Sequence, residues 1–565
     1  MKSLSFRMER VQGPRQVDLP TSETMQAIVA ARWLGNKKID GGTLRLVASA
    51  DSKGSQTWLV PEGEWSLFFF YLEPRSGFDG GKVDLLNPDA TKFFFDLTYG
   101  EFYRRYGSYF GNTVQIGFSD HEGDYGYRIA WTPQLFQAFE KRHHYDLRKV
   151  LPLLVVDGGD FSIKARCDYL STVTELYSES FWQGLTTAAQ GLGLSRTGHA
   201  WEETLQFGAA LEGSLFAVER GLNPVGVDSL SDSGRQAVSF KVAQSVADFE
   251  GRSFLCEHEG IHGIDSYLDL EGIRQATNAI AAWGVDLFVP HAFNYDAAHA
   301  TFPPDWFNQP YWPYFHHYAD YLRRLSYMNS ESRHVAPILL YYPMTSLWAH
   351  IDPVLSGQVE YKQVYDPEAW DNPTTAINDY YTRLILKLSE HQWDHLIADD
   401  AYLEKAVIEG NELVIGSQRF TAIVLPPLST LRRSSLNKLI EFHQAGGTIF
   451  GIRFLPDSSP EAGGNDPVIK EGIVRLFGPA GSRSGLYSEN RSQGGGRSYF
   501  ISYQVETLID LLDGSLPKDF QVTEGPEDHL FYQHRHKQGQ HYYWVVNDSE
   551  RPRSNRAMFS QTWHS

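Results

Sequence analysis

The sequence predicts an α/β protein: a (β/α)8 barrel with an N-terminal β region, a flavodoxin-like α/β domain and a short C-terminal β segment. Three observations lead there. Apolar runs of strand length alternate with helical segments from Val83 onward, five of those runs end in Asp, Glu or His, and a second strand–helix–strand unit begins near Ala398. Such alternation implies a parallel sheet with crossover helices. In a barrel, chemistry gathers at the C-terminal ends of the strands. A doubly wound open sheet is the alternative.

Residues 1–80 hold alternating runs (AIVAARWL, TLRLVASA, TWLVP, EWSLFFFYL) separated by Gly, Pro and charged turns. They read as β structure covering one side of the main domain. Residues 81–397 are assigned to the barrel. Its strands are VDLLNP, VQIGFSD, LSRTGHA, VGVDSL, SFLCEHE, DLFVPHA and APILLYYP, with WDHLIADD as an eighth. Residues 398–515 read as the flavodoxin-like domain. Gly446-Gly447 there lacks GxGxxG or GK[ST] company, so it reads as a helix stop and not a phosphate loop. The Gly/Ser/Arg-rich stretch 481–498 reads as a loop. Residues 516–565 return to β texture and look like an incomplete sandwich.

A chain of 565 residues exceeds one ordinary core, so one large domain with one or two smaller ones is expected. A formal net charge of −19 without Lys/Arg clusters argues against nucleic acid as a partner. Neutral oligosaccharides or polysaccharides are indifferent to that charge. The 14 Trp, 30 Tyr and 34 Phe supply rings for the core and for stacking on sugars. The two cysteines, Cys167 and Cys256, form no metal-ligand spacing and no disulfide framework. No stretch approaches the ~20 apolar residues of a membrane span. The start lacks a secretory apolar segment, so the sequence as written favours the cytoplasm.

The carboxylates carry the chemistry. Along VQIGFSDHE, Asp120 and Glu122 share the parity of Val114, Ile116 and Phe118, and so face one way on a regular strand. In SFLCEHEG, Glu257 and Glu259 share parity while His258 points away. Two acidic clusters at strand mouths suit glycosidic bond cleavage, which needs one acid to protonate the leaving oxygen and one carboxylate on the opposite face. The blander readings are a turn-capping carboxylate paired with Arg128 and an ion pair at the sheet rim. His199, His291 and Tyr295 are candidates to hold sugar hydroxyls, since a neutral imidazole both donates and accepts. Trp131 and Trp306 are candidate stacking rings, the latter in FPPDWFNQPYWPYFHHY, whose prolines favour a loop rim. Neither GxSxG nor HExxH is present, which removes serine-hydrolase and zinc-protease readings.

Taken together, VDLLNPDATKFFFDLTYGEFYRRYG, SDHEGDYGYRIAWTPQLFQAFEKRHHYDL, GHAWEE, GVDSL, CEHEGIHG and GVDLFVPHAFNYD resemble glycoside hydrolase family 106, the α-L-rhamnosidases. The resemblance runs from about Thr57 to about Gly451. It implies a (β/α)8 barrel flanked by β-domains, inverting hydrolysis of terminal α-L-rhamnosides, and calcium at the sugar site. By motif position it makes Glu122 the acid, with Asp120 as a rival, and Glu257 the base, with Glu259 as a rival. Asp228, Glu202 and Glu203 are the candidate calcium ligands. Family members are generally longer and often exported. Two other readings stand beside this one: a retaining glycosidase of the β-galactosidase kind, and a non-catalytic carbohydrate-binding relative.

Overall fold

The computed structural model describes the chain apart from residues 1, 21, 53–55, 75–82, 121–128, 201–204, 230–236, 259–269, 292, 295, 297, 300–305, 352–371, 484, 503, 527–528, 548, 550 and 562–565. The N-terminal region is an antiparallel sheet of long strands, Lys2–Leu19, Met25–Gly35, Lys38–Ser49 and Gln56–Pro74. The short strand Ile129–Ala130 joins its edge at Ser3 and Leu4. Alternate side chains bury opposite faces. Ala27, Val29, Phe68 and Phe70 enter the main core, whereas Ile28, Ala30, Leu67 and Phe69 build a separate one. The sheet is therefore a packed layer of the body, as the period of 2 demands.

VDLLNP is not a strand. Asn87 accepts a hydrogen bond from Asp89 N at 3.0 Å and starts the helix Pro88–Phe95. An Asn cap followed by Pro in the first turn is a helix start, and that local chemistry prevails over the apolar run.

The next runs are parallel strands as expected. Ile116–Ser119 pairs with Ser195–Gly198, and Val225–Ser229, Phe254–His258 and Leu287–Pro290 pair in sequence order. The two groups meet where Asn223 N donates to Arg196 O at 2.8 Å. A side-chain carbon on Gly226 would stand 2.0 Å from Gly198 O, and one on Gly198 would stand 2.2 Å from Ser119 O. Glycine at both positions lets three strand backbones close into one wall.

The remaining two barrel strands lie elsewhere. Ile338–Tyr341 and His395–Ala398 belong to a six-stranded sheet with Ala422–Leu425, Thr448–Ile452, Arg497–Ile501 and Tyr487–Arg491. The strands from 395, 338, 422, 448 and 497 stand side by side in that order and run parallel. In chain order this is 2-1-3-4-5, the doubly wound arrangement of a flavodoxin-like sheet. The sheet thus begins some sixty residues before the Ala398 start read from the sequence. The helix Ala237–Glu250 packs against both Val225–Ser229 and His395–Ala398, joining wall and sheet through one core.

Gly446, at φ +105°, follows the helix Arg433–Gln444 and ends it, as read from the sequence. The stretch 481–498 is not simply a loop: Tyr487–Arg491 and Arg497–Ile501 form an antiparallel pair within it. Near the C-terminus Leu530–Lys537 and Gln540–Asn547 form a hairpin that also pairs with Arg333–His334, and Phe520–Glu524 pairs with Arg556–Phe559. Both cysteines are buried, and they form no disulfide with each other. Among the described residues no helix is long and apolar enough to cross a membrane.

Candidate active site

The C-terminal ends of the five wall strands bring together Asp120, His199, Asp228, Glu257 and His291. His199 follows Ser195–Gly198, and its backbone N–H donates to Ser119 O at 3.3 Å. Asp228 and Glu257 occupy partnered positions on neighbouring strands, and Val289 stands opposite Glu257 on the other side. Backbone pairing therefore aims these side chains at one mouth.

His199 is the hub. Its Nε2 lies 3.0 Å from Glu257 Oε2 and 3.4 Å from Asp120 Oδ1, and its Nδ1 lies 3.9 Å from Asp228 Oδ2. The His291 Nε2 lies 3.9 Å from the other Glu257 oxygen. The Phe118 ring closes on the imidazole edge-on at 5.5 Å. Exposure separates the roles: the His199 side chain is 1% exposed, whereas Glu257 is 15%, His291 18% and Asp120 66% exposed. The histidine supports from below and the carboxylates reach solvent.

Burial by itself disfavours an imidazolium at His199. The Glu257 hydrogen bond and the carboxylates of Asp228, Glu257 and Asp120 outweigh it, and its pKa is pushed up to about 9. His199 is a cation at neutral pH, so its Nε2–H donates to Glu257 in a charge-assisted hydrogen bond.

Two groups beneath this cluster carry no motif in the sequence. Arg196 is fully buried, donates from Nη2 to Ser119 Oγ at 2.7 Å, and lies 5.1 Å from the ring centres of Phe181 and Trp182. Glu219, 3% exposed, accepts from Gly226 N at 3.2 Å. Its burial pushes the carboxyl up to about 8 against the pull of that N–H and the His199 charge. An Arg in a strand and a Glu in a helix both read as surface residues, so no signal exposed them.

Glu122, Glu202, Glu203, Glu259 and Tyr295 lie outside the described residues. Trp131 follows the strand that joins the N-terminal sheet and packs against the main core. Trp306 is a correction. It is wholly buried, stacked against Phe293 at 5.8 Å and Tyr318 at 6.2 Å, with its indole N–H donating to His291 O. The following helix Phe315–Asn329 brings rings to cover it, so it is a core residue and no stacking platform. Its hydrogen bond instead steadies the backbone of His291.

Of the calcium candidates, Asp228 is described, and it faces the His199 cation. Among the described residues no group of three or more His, Cys, Asp or Glu side chains is arranged to hold a metal ion. Calcium takes about 6–8 oxygen ligands, and the described residues furnish no such set.

A family model for alpha-L-rhamnosidase, glycoside hydrolase family 106, matches residues 38–371 and 369–564. No protein of curated function matches the sequence. The solved structure of a rhamnosidase from Novosphingobium sp. PP1Y is similar at TM-score 0.67 and 18% identity, over 93% of this chain and 49% of that one. The chain spans about half the length of that protein. A GH42 beta-galactosidase from G. stearothermophilus is similar at TM-score 0.60 and 10% identity, over 84% of this chain and 78% of that one. A beta-galactosidase from Bacillus circulans sp. alkalophilus is similar at TM-score 0.57 and 12% identity, over 82% and 77%. At such identities these likenesses concern the fold, a mixed α/β architecture with an N-terminal antiparallel sheet. With the family model spanning nearly the whole sequence, the chain belongs to glycoside hydrolase family 106, the alpha-L-rhamnosidase family.

Proposed function

We propose that the protein is an exo-acting glycoside hydrolase that removes a terminal α-L-rhamnose, or a similar deoxy-hexose, from an oligosaccharide or polysaccharide with inversion. The observation that carries this reading is the buried His199 cation gripping the half-buried Glu257 at 3.0 Å at the mouth of the parallel wall. Glu257, oriented through Oε2, is the proposed base that takes a proton from a water attacking the anomeric carbon. The His291 ring lies on that side and suits a sugar hydroxyl, with Tyr295 as a further hydroxyl ligand.

The acid must stand across the sugar. Inverting pairs are about 6.5–9.5 Å apart. Asp120 and Glu257 share one His199 nitrogen, at 3.4 and 3.0 Å, so their nearest oxygens are closer together than that. This argues against Asp120 as the acid and in favour of Glu122. Asp120 then helps to hold the imidazolium. Calcium remains an expectation of the family, with Asp228, Glu202 and Glu203 as its proposed ligands.

The test is release of nitrophenol from nitrophenyl α-L-rhamnoside, with proton NMR of the first-formed sugar, before and after treatment with a chelator. Turnover that yields the inverted anomer and that is lost in Glu257→Gln and Glu122→Gln supports the scheme. Unchanged turnover in either variant overturns that residue's role. A second reading rests on the likeness to GH42 beta-galactosidases. A retained anomer would favour it, and sugar binding without any released product would favour a non-catalytic relative.

A further inference from the structure

At the opposite end of the same strands lies a cavity of about 330 Å³. It opens beside Phe254, the first residue of the strand that carries Glu257. Three residues at about 3.3 Å each put it about 10 Å from the catalytic mouth. The helix Ala237–Glu250 supplies one wall, and Asp286, Asn329 and the hairpin residue Arg535 supply others.

The lining is built for hydrogen bonding. Gln244 is 1% exposed and lines the cavity, yet among the described residues neither its Nε2 nor its Oε1 has a partner. Asn329 spends its Nδ2 on Ala281 O and Val285 O, at 2.9 and 2.8 Å, and its buried Oδ1 likewise has no partner among them. A buried amide left unmet is costly, so such groups are normally answered by water or ligand. Gly284 forms part of the wall. A side-chain carbon there would stand 2.6 Å from Arg535 Nη2, 2.9 Å from Gln244 Nε2 and 3.1 Å from Gln533 Nε2. Glycine at this position lets these three side chains pack close against the backbone of the cavity wall.

The charges select a neutral ligand. Arg535 is committed to Asp248 at 3.2 Å, and Arg252 pairs with Glu250 and donates to Arg220 O at 3.1 Å. Asp286 already accepts from Phe254 N at 2.8 Å, and Glu331 adds a further carboxylate to the rim. Arg252, Arg333 and Arg535 stand in the lining with Asp248, Asp286 and Glu331, three cations to three carboxylates, so the cavity carries no net formal charge. Hydroxyl groups both donate and accept, so they answer the Gln244 amide and the Asn329 carbonyl oxygen together. The size is at the small end of the ~300–1,000 Å³ typical of ligand pockets.

We infer that this basal cavity is a second binding site, separate from the catalytic mouth, for a neutral polyhydroxylated molecule the size of a monosaccharide. It rests on the cavity and not on the hydrolytic reading, so the two can fail separately. The test is hydrogen–deuterium exchange of the full chain with and without L-rhamnose or D-galactose, alongside calorimetric titration of the same sugars. Protection of residues 244–254 and 329–333 by either sugar is expected. Gln244→Leu should weaken that binding by about tenfold or more, the worth of the two amide hydrogen bonds, while Glu257→Gln leaves it unchanged. Because Gln244→Leu could disturb packing, its melting temperature is compared with that of the parent, and protection in the parent stands as an independent readout. No protection by either sugar overturns the proposal, as does protection by galacturonate alone, which would mark an anion site.

Discussion

Asp228 and Glu257 stand at the same level on adjacent parallel strands, and the ring of His199 reaches toward both, one carboxylate to each nitrogen. The arrangement makes the charge on His199 depend on both acids and makes the orientation of Glu257 depend on His199.

Glu257→Gln is therefore expected to lower kcat for a nitrophenyl rhamnoside by about 10²–10⁴-fold, the usual worth of a general base, with the fold retained by circular dichroism. His199→Gln should also reduce kcat, because it removes the donor that fixes Glu257. The distinguishing readout for His199 is the pH profile, whose alkaline limb near 9 should move or vanish in that variant. An identical profile would contradict a positioning role.

The raised pKa of His199 also bears on stability. A histidine raised in the folded state contributes stability that is full below its ordinary value of 6.5 and is lost as pH rises through about 9. Asp228→Asn removes one of the carboxylates that raise it. The imidazole should then titrate at lower pH by NMR, and the loss of stability on the alkaline side should begin earlier.

Glu219 gives a pH dependence from a different source. Burial holds it neutral and pushes it up to about 8, so its favourable contribution is full below 4.5 and falls as pH rises through about 8. Glu219→Gln keeps the shape and removes the ionisation. Its melting temperature relative to the parent should rise steadily across that window, and a flat difference would show that Glu219 does not titrate there.

Lys241 Nζ lies 2.9 Å from Asp394 Oδ1, with the side chains 4% and 5% exposed. Burial opposes charge on Asp394, but His334 and Lys241 prevail and hold it well below the usual carboxylate range. Lys241→Met leaves the buried Asp394 with His334 as its remaining cationic partner and should cost up to about 3–5 kcal/mol in urea unfolding. Adding Asp394→Leu should recover a large part of that loss. Equal destabilisation by both would mean that the lysine acts through packing on Trp283.

Trp306→Ala tests the burial of that ring. As a buried ring it should cost about 3–5 kcal/mol of stability, with any effect on the sugar arising through the backbone of His291. A variant of parental stability with a raised KM would restore the stacking role.

The polar ends of the wall strands were legible because apolar runs broken by Asp, Glu or His are local features, and parallel pairing put those ends on one side. The helix stop at Gly446 was legible for the same reason. VDLLNP misled because its apolar residues outnumber the Asn-Pro signal that caps a helix. Arg196 and Glu219 were invisible because their residue types ordinarily mark a surface.

By itself the sequence determined where strands end and which acids and histidines sit there, since side-chain alternation and capping act over a few residues. Only the tertiary structure decided that the strands at 338 and 395 enter the flavodoxin-like sheet, that Trp306 is sealed inside, and that His199 is a cation. Sheet partner, burial and charge state are sums over segments far apart in the chain, and no local pattern carries them.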